Sequence, residues 1–161
     1  MTAAQRDREI GTVLVTGGCG FIGSNFIRHI MSRWNQARVV NLDCLTYAGR
    51  TSNLNDLEDS HVGQRYFFVR GDICDATLVD SLIDGSYFGQ SSKDSLLAPN
   101  IVINFAAETH VDRSIDDASP FIRTNVLGTQ TLLEAARKQW TGANVAGQNE
   151  TRLFLQISTD E

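Results

Sequence analysis

The fold is decided by one stretch near the start of the chain, Thr12-Val13-Leu14-Val15-Thr16-Gly17-Gly18-Cys19-Gly20-Phe21-Ile22-Gly23. Its first five residues are apolar or β-branched and glycines follow at once, which predicts a buried strand that ends in a turn. Gly17, Gly20 and Gly23 have the spacing Gly-x-x-Gly-x-x-Gly, one residue longer at the front than the commonest dinucleotide-binding fingerprint.

Each of these glycines has a physical task in such a turn. Gly17 permits the tight turn off the strand, Gly20 lets the backbone approach a pyrophosphate, and Gly23 lets the next helix pack closely on the sheet. The start of that helix then offers free N–H groups and a positive dipole end to the phosphates. A glycine-rich turn without a ligand is the alternative, but the position between a predicted strand and a predicted helix favours the ligand.

Strand and helix patterns alternate from this stretch to the last residue. Apolar runs predict strands at residues 12–16, 38–43, 65–69, 100–106 and 153–158. Helices are predicted over residues 21–34, after an N-cap at Asp75, and after an N-cap at Ser119 with Pro120 in the first helical position. The regions 45–58, 85–99 and 142–150 are polar and predict loops, the first with one helical turn near Leu54 and the second a surface insertion.

This order of elements predicts an α/β fold, a doubly wound parallel sheet of the Rossmann type that is truncated after its fifth strand. We expect residues 1–161 to be one incomplete nucleotide-binding domain, with the C-terminal substrate domain absent. Helical spacing predicts the buried faces of the three helices. They are Ile22, Phe26, Ile27, Ile30 and Met31; Leu78, Val79, Leu82 and Ile83; and Phe121, Val126, Leu127, Leu132, Leu133 and Ala136.

The composition is that of an ordinary globular protein, with 42% hydrophobic and 20% charged residues. The formal net charge of −5 disfavours a nucleic-acid partner, because an acidic chain gains nothing from phosphate counterion release. Cys19, Cys44 and Cys74 form no Cys-x-x-Cys pair, so we expect neither a disulfide framework nor a metal site. Residues 1–9 lack the apolar core of a signal peptide and no run approaches the length of a membrane span, so we expect a cytoplasmic protein.

Two aspartates follow predicted strands where a nucleotide would be recognised. Asp43 comes 20 residues after Gly23, at the position where a carboxylate accepts hydrogen bonds from the adenosine ribose. Such a carboxylate repels the extra phosphate of NADP, so the sequence favours NAD. A turn aspartate or a helix cap is the alternative for Asp43. Asp72 can contact the adenine amino group, although its residue type alone favours a simple turn role.

Six segments of the chain resemble one protein family. They are Thr16-Gly17-Gly18-Cys19-Gly20-Phe21-Ile22-Gly23, Leu42-Asp43-Cys44-Leu45-Thr46-Tyr47-Ala48-Gly49, Arg70-Gly71-Asp72-Ile73-Cys74-Asp75, Phe105-Ala106-Ala107-Glu108-Thr109-His110-Val111-Asp112-Arg113-Ser114-Ile115, Asn125-Val126-Leu127-Gly128-Thr129 and Ser158-Thr159-Asp160-Glu161. In order and spacing they are similar to the extended short-chain dehydrogenase/reductases, and within them to the dTDP-glucose 4,6-dehydratase family. The first segment indicates only a dinucleotide, whereas the second and fourth are much more specific.

The resemblance implies a role for each matching position. The residues that would line NAD are Phe21 and Ile22 at the pyrophosphate, Asp43, Cys44, Leu45 and Thr46 at the adenosine ribose, Asp72 and Ile73 at the adenine, and Ala106, Ala107 and Thr124 on the nicotinamide side. Thr109 would contact the substrate, and Cys44 stands where the family commonly has a lysine. From chemistry alone, His110, Asp112 and Arg113 fit a helix cap or surface ion pairs equally well.

The last residues of the sequence imply the chemistry. In the resembling enzymes NAD takes a hydride from C4 of the glucose unit, a base removes the C5 proton while an acid protonates the departing C6 hydroxyl, and the hydride returns to C6. The resemblance makes Asp160 the acid and Glu161 the base, and Thr159 a partner of the C4 hydroxyl or of the tyrosine that deprotonates it. On residue types alone, Asp160 and Glu161 are an exposed acidic chain end.

The Tyr-x-x-x-Lys pair of that family does not occur in the 161 residues. Four residues after Tyr47, Tyr66 and Tyr87 stand a threonine, an arginine and a serine. Without a base for the sugar hydroxyl, hydride transfer has no route. We therefore predict that the 161-residue chain by itself is not a competent dehydratase.

Three functions stay open at this point. The leading one is the N-terminal NAD-binding portion of a nucleotide-sugar 4,6-dehydratase that converts dTDP-glucose to dTDP-4-keto-6-deoxyglucose, with a nucleotide sugar as partner and, as is common in that family, a homodimer in the full-length protein. A nucleotide-sugar epimerase or decarboxylase shares the glycine turn but usually lacks the Asp-Glu pair after the threonine. A non-catalytic dinucleotide-binding module is the third, and it would not need that pair.

Overall fold

Five apolar runs form strands in the computed structural model, as their composition predicted. The structure describes residues 11–57, 64–89, 97–110, 115–141 and 151–158. The strands are β1 (Thr12–Thr16), β2 (Arg38–Asp43), β3 (Tyr66–Arg70), β4 (Ile101–Asn104) and β5 (Leu153–Gln156). The helices are α1 (Phe21–Arg33), α2 (Ala76–Ile83), α3 (Ser119–Phe121) and α4 (Thr129–Trp140), with a π-helical segment (Ile122–Gly128) between α3 and α4 and short 3₁₀ turns at Thr51–Leu54 and Ser86–Phe88.

The five strands form one parallel sheet in the order β3-β2-β1-β4-β5. The chain runs outward from β1 through β2 to β3 and then returns to place β4 on the other side of β1. This reversal creates a crevice beyond the carboxyl ends of β1 and β4, the place where open α/β sheets bind ligands. Thr16 at the end of β1 lies opposite Leu42 on one side and Asn104 on the other.

Alternate residues of the strands contribute side chains to two separate hydrophobic cores, one on each face of the sheet. Val13 and Val15 point to the face covered by α1, where Ile27 and Ile30 are buried. Leu14 points to the opposite face, which is covered by α2 and α4. Both faces are therefore buried around β1, and the predicted doubly wound architecture is confirmed.

The ends of the helices are satisfied by long-range and local partners. The Asp75 carboxylate accepts the Leu78 backbone N–H at 3.1 Å, which confirms the predicted N-cap of α2. At the end of α1, the Arg65 guanidinium donates to the carbonyls of Met31 at 3.2 Å and Trp34 at 3.0 Å. This arginine thereby ties the start of β3 to the C-terminus of α1.

Several predicted boundaries were wrong by one or two residues. The third strand is β3 at Tyr66–Arg70 rather than residues 65–69, and the fourth and fifth strands end at Asn104 and Gln156 rather than at residues 106 and 158. The first helix ends at Arg33, not residue 34. Ala118 rather than Ser119 is the N-cap of α3, because Ser119 is already helical and donates its N–H to the Asp117 carboxylate at 2.9 Å.

Two buried faces were also predicted incorrectly in part. Ile22 is 63% exposed in the first turn of α1. Val126, Leu127 and Leu133 are 61%, 45% and 46% exposed, whereas Leu132 and Ala136 are buried as expected. The buried residues here are Gly128, Leu132, Ala135 and Ala136, which share one helical face, and the three exposed residues lie off that face. The prediction grouped them with the buried residues because they are apolar.

Some expectations concern residues that the structure describes only in part. The region 85–99 begins with the 3₁₀ turn Ser86–Phe88, and its residues 90–96 lie outside the described ranges, as does the predicted loop 142–150. Within the described ranges, no helix combines the length and the apolar character that a membrane crossing requires.

Candidate functional site

A cleft of about 790 Å³ opens at the carboxyl ends of β1 to β4. One wall comes from the glycine turn after β1 and the loop after β2, and another from the loop after β3. The loop after β4 and the helical segment from Ser119 to Leu127 close the remaining side. The crevice predicted from the strand order is therefore a continuous cavity.

The three turn glycines meet different surroundings. Gly17 has a φ of 67°, and a Cβ there would lie 2.7 Å from the backbone nitrogen of Ala106. A Cβ on Gly23 would lie 2.5 Å from the Gly17 carbonyl oxygen, because α1 packs directly on the turn. Gly20 lines the cleft, and a Cβ there would have one close neighbour, the Gly17 oxygen at 3.3 Å. Gly20 is thus the position where bare backbone faces the cavity.

The start of α1 is suited to an anion. Its N-cap is Gly20, which has no side chain to cap the helix, and the first turn contains no acidic residue. The first N–H groups of a helix have no intrahelical acceptor and lie at its positive dipole end. A pyrophosphate at this place would find donors that no side chain of the turn occupies.

Asp43 is held rigidly at the end of β2. It is 7% exposed, and its two carboxylate oxygens accept the backbone N–H groups of Cys19 and Leu45, both at 2.8 Å. The first bond fixes the carboxylate to the glycine turn, and the second fixes it to the loop that follows β2. A carboxylate has about four lone-pair sites, so two remain for hydroxyl donors in the cleft.

The loop after β2 is anchored to the glycine turn as well. The Cys19 carbonyl accepts the Arg50 backbone N–H at 3.1 Å and the Asn53 side-chain amide at 2.9 Å. Arg28 of α1 forms an ion pair with Asp56 at 2.8 Å. The turn and the loop therefore form one connected wall of the cleft.

Asp72 stands at the next strand end with two partners of its own. Its Oδ1 accepts the Cys74 backbone N–H at 2.8 Å, and its Oδ2 accepts from the Arg123 guanidinium at 3.0 Å. Burial raises the pKa of the Asp72 carboxyl, but the hydrogen bonds from the Cys74 amide and the Arg123 guanidinium outweigh burial, so that this pKa lies below its ordinary value. Asp72 is therefore an anion at neutral pH.

Cys44 brings a neutral thiol to the same region. Burial, followed by the charges of Asp43 and Asp72, raises the pKa of the Cys44 thiol above its ordinary value. The thiol is thus protonated at neutral pH and adds no charge beside Asp43. Where the resembling family commonly has a lysine, this chain presents an uncharged group.

A buried amide lies at the end of β4, directly before the lining residues Phe105 and Ala106. Asn104 is fully buried and accepts the Ala106 backbone N–H at 3.2 Å and the Thr16 hydroxyl. Its amide nitrogen donates to Gln156 at 2.8 Å, so the ends of β1, β4 and β5 are tied together. This network sets the path of the backbone at Ala106, the residue that follows β4 into the cleft.

The structure brings ten of the fourteen predicted cofactor residues together around the cleft. They are Gly17, Gly20, Asp43, Cys44, Thr46, Asp72, Ile73, Ala106, Ala107 and Thr124. Phe21, Ile22, Gly23 and Leu45 are not among the lining residues. Phe21 is 82% exposed at the start of α1, and Leu45 has a φ of 55° and packs its side chain against the core. Leu45 acts on the site through its backbone N–H, which holds the Asp43 carboxylate.

The predicted substrate and catalytic residues are placed only in part. Thr109 is exposed in the loop after β4 and does not line the cleft. Next to it, the ring of His110 lies 5.0 Å from the ring of Tyr47, so the loops after β4 and β2 touch. Thr159, Asp160 and Glu161 lie outside the described residues.

Several lining residues did not emerge from the sequence. Phe105 and Glu108 belong to a quoted motif but were given no role, and Ile122 was not singled out at all. Ser119 was assigned to capping and Leu127 to a buried helix face. The contact of Arg123 with Asp72 could not be predicted from the sequence, because the two residues are 51 positions apart. One signal was available: the helix predicted after the fourth strand begins on the side of the sheet where the ligand crevice was expected.

These features define the class of protein: a Rossmann-type α/β domain whose glycine turn, carboxylate after β2 and crevice have the arrangement found in dinucleotide-binding domains. A sequence model of the GDP-mannose 4,6-dehydratase family matches residues 14–161, and the chain belongs to that family.

Individual relatives agree with this assignment. Over 149 residues the chain is 48% identical to a dTDP-glucose 4,6-dehydratase of Escherichia coli, covering 92% of this chain and 37% of that protein. Among solved structures, a dTDP-glucose 4,6-dehydratase of Bacillus anthracis in complex with NAD has a TM-score of 0.68 at 32% identity, covering 92% of this chain and 37% of the other. The corresponding enzyme of Streptomyces venezuelae with NAD bound has a TM-score of 0.64 at 41% identity, covering 79% and 36%. The chain thus spans little more than a third of the length of these relatives.

Proposed function

We propose that the cleft binds NAD and that the chain is the N-terminal cofactor-binding part of a nucleotide-sugar 4,6-dehydratase, a lyase acting on dTDP-glucose. The observation that carries the proposal is the meeting of Gly20, Asp43 and Asp72 around one cavity at the crevice of the sheet. The NAD complexes of the dehydratase relatives support the choice of cofactor. The likeness in sequence to the Escherichia coli enzyme supports the choice of reaction.

Each part of the cofactor would find a matching group. The pyrophosphate would lie against the backbone of Gly20, Phe21 and Ile22, the adenosine ribose against the carboxylate of Asp43, and the adenine between Asp72 and Ile73. The nicotinamide side would lie over Ala106 and Ala107, whose backbone path Asn104 fixes. Because Asp43 is buried and already bonded to two amides, its carboxylate cannot turn away from the extra phosphate of NADP.

NAD, held by Gly20, Asp43 and Asp72, would supply a reversible hydride acceptor that serves C4 of the sugar first and C6 last. Between the two hydride transfers, the chain's own residues would move the protons. Glu161 removes the acidified C5 proton, Asp160 protonates the departing C6 hydroxyl, and Thr159 hydrogen-bonds the C4 hydroxyl or its base. Two neighbouring carboxyl groups can divide these roles when their surroundings separate their pKa values. A Tyr-x-x-x-Lys pair would have to come from outside the 161 residues, and we propose that these residues alone do not turn over substrate.

One experiment tests the cofactor. Titration of the purified protein with NAD and NADP should show tighter binding of NAD. In the Asp43→Asn variant the ratio of the NADP to the NAD dissociation constant should be smaller. A hydrogen bond to a charged group contributes about 1.5–3 kcal/mol, so the affinity for NAD should fall by about tenfold or more. Equal affinities of the unaltered protein for both cofactors would contradict the proposed role of Asp43.

A second experiment separates the dehydratase from the epimerase. The protein made from its complete coding sequence is incubated with dTDP-glucose in deuterated water. A dehydratase exchanges the C5 proton and yields a 4-keto-6-deoxy sugar with deuterium at C5. An epimerase inverts C4 without removing the C5 proton, so a product of inverted configuration without solvent deuterium would refute the dehydratase.

A further inference from the structure

Two segments that are distant in sequence are joined along one wall of the cleft. The turn after β3, residues 72–74, contacts the π-helical segment at three places. Arg123 forms its ion pair with Asp72 at 3.0 Å, and the Cys74 thiol donates to the Arg123 carbonyl at 3.2 Å. Gly128 packs so closely on Ile73 that a Cβ there would lie 2.4 Å from the Ile73 side chain.

Among the ion pairs of the described residues, this one is distinguished by its position. Both Asp72 and Arg123 line the cleft, whereas the pairs Arg28–Asp56, Arg137–Glu134 and Lys138–Asp80 lie outside it. Their exposed side chains, 43% for Asp72 and 61% for Arg123, give the pair little value for stability alone. What the pair does fix is the direction of a carboxylate at the edge of the cavity.

Two hydrogen bonds fix the orientation of the Asp72 carboxylate. Its Oδ1 is engaged by the Cys74 amide and its Oδ2 by Arg123, so rotation of the carboxylate would break one bond or the other. Each oxygen keeps one lone-pair site for a donor in the cleft. A carboxylate held in this way prefers a partner that presents an N–H group at one defined point.

We propose that Arg123 is a positioning residue for nucleobase recognition: by holding the Asp72 carboxylate it makes the site select adenine, whose C6 carries an amino group, over a base with a carbonyl at C6. This inference rests on the proposed binding of NAD. Arg123 acts through Asp72 and does not itself need to touch the base.

The test compares NAD with nicotinamide hypoxanthine dinucleotide, which differs only in the base. Hypoxanthine has a carbonyl at C6 and an N–H at the neighbouring N1, so a fixed carboxylate rejects it and a mobile one can turn to the N1 donor. The unaltered protein should bind NAD at least about tenfold more tightly than nicotinamide hypoxanthine dinucleotide. Arg123→Met, which keeps the apolar stem, should reduce this ratio by about twofold to fivefold.

Three further variants make the result specific. Arg137→Met removes another exposed ion pair of the same helical region and should leave the ratio unchanged. Arg123→Lys keeps the charge, so its preference for NAD over the hypoxanthine dinucleotide should lie between those of the unaltered protein and Arg123→Met. The double variant Asp72→Asn with Arg123→Met should show the same ratio as Asp72→Asn alone, because Arg123 acts only through Asp72.

The outcomes separate this inference from the proposed function. Equal weakening of both dinucleotides by Arg123→Met would mean a merely structural role and would overturn the inference while NAD binding stands. An unchanged ratio would overturn it as well. Failure of the unaltered protein to bind NAD would instead refute the proposed function, and this inference with it.

Discussion

A side chain added at each turn glycine would meet a different obstacle. At Gly17 and Gly23 it would strike the backbone at 2.7 Å and 2.5 Å, so these two residues are required by the fold. At Gly20 it would meet one oxygen at 3.3 Å and otherwise project into the cleft. The three residues of one motif thus separate into two that shape the turn and one that keeps the ligand site open.

Gly20→Val should therefore abolish NAD binding while the protein stays folded. The added side chain would hold the pyrophosphate away from the helix N-terminus and cost two or more charge-assisted hydrogen bonds, so the dissociation constant should rise by about 100-fold or more. Gly23→Ala is the matched control for stability, because its overpacking should cost about 1–3 kcal/mol of unfolding free energy. Calorimetric titration with NAD and thermal melts of both variants check this. An unchanged dissociation constant in Gly20→Val would refute the placement of the pyrophosphate.

The selection of adenine over hypoxanthine should be insensitive to pH over the neutral range. The pKa of Asp72 is lowered in the folded protein, so its contribution is present above the ordinary aspartate pKa of about 3.9 and is lost as the pH falls through the lower folded value. The ratio of dissociation constants for the two dinucleotides should stay level between about pH 8 and about pH 5. A ratio that titrates within that window would assign the selection to a group other than Asp72.

At the scale of elements, α1 depends on a residue of another element for its C-terminus. Its last carbonyls are satisfied by the Arg65 guanidinium, which reaches Met31 and Trp34 at 3.2 Å and 3.0 Å. Cations are favoured at this end of a helix because the macrodipole is negative there. Arg65 also precedes β3, so one side chain aligns the helix that carries the glycine turn with the strand that leads to Asp72.

Arg65→Met should lower the unfolding free energy by about 1–3 kcal/mol, the value of hydrogen bonds from a charged donor that are lost without replacement. Denaturant unfolding followed by circular dichroism measures the loss. Arg33→Met is the control, since Arg33 is an exposed arginine in the last turn of the same helix and should cost well under about 1 kcal/mol. Equal losses in the two variants would show that charge at the helix end matters and that the Arg65 hydrogen bonds do not.

The elements that the sequence predicted well are those governed by local rules. Both β1 and β2 were predicted with the observed bounds, because they are buried along their length and flanked by turn residues. The Asp75 cap depends on an interaction within three residues and was also predicted. Phe105 and Ala106 were assigned to β4 because they are apolar, but the Ala106 N–H bonds to the Asn104 side chain and the chain leaves the sheet.

The parts that escaped prediction depend on distant partners or on which helical face the fold buries. Val126 and Leu127 are apolar but lie off the face that Gly128, Leu132 and Ala136 bury, so they are exposed. Asn104 is bonded to Gln156, which is 52 residues away in the sequence. Arg123 is bonded to Asp72, which is 51 residues away. In the candidate site, the glycines and aspartates were therefore predictable by residue type, and the groups that orient them were not.

For the molecule as a whole, the strand order places every site element at one edge. Because β1 lies between β2 and β4, the glycine turn, Asp43 and the loop after β4 converge without any long loop. The same order leaves β5 at the border of the sheet, with Leu153 and Leu155 exposed by 46% and 41%. The exposed side chains of this border strand are thus largely apolar.

An apolar edge strand is a template for pairing with a second chain, so the purified 161-residue chain should aggregate through β5. Leu155→Lys should slow this aggregation several-fold, because a charge on an edge strand opposes the docking of another strand, and it should leave the affinity for NAD unchanged. Leu133→Lys is the matched control: Leu133 is 46% exposed but lies on α4 rather than on the sheet edge, so its effect should be small. Light scattering of the three proteins at equal concentration measures the rates. If both lysine variants slowed aggregation equally, exposed apolar area in general, and not the border of the sheet, would be the cause.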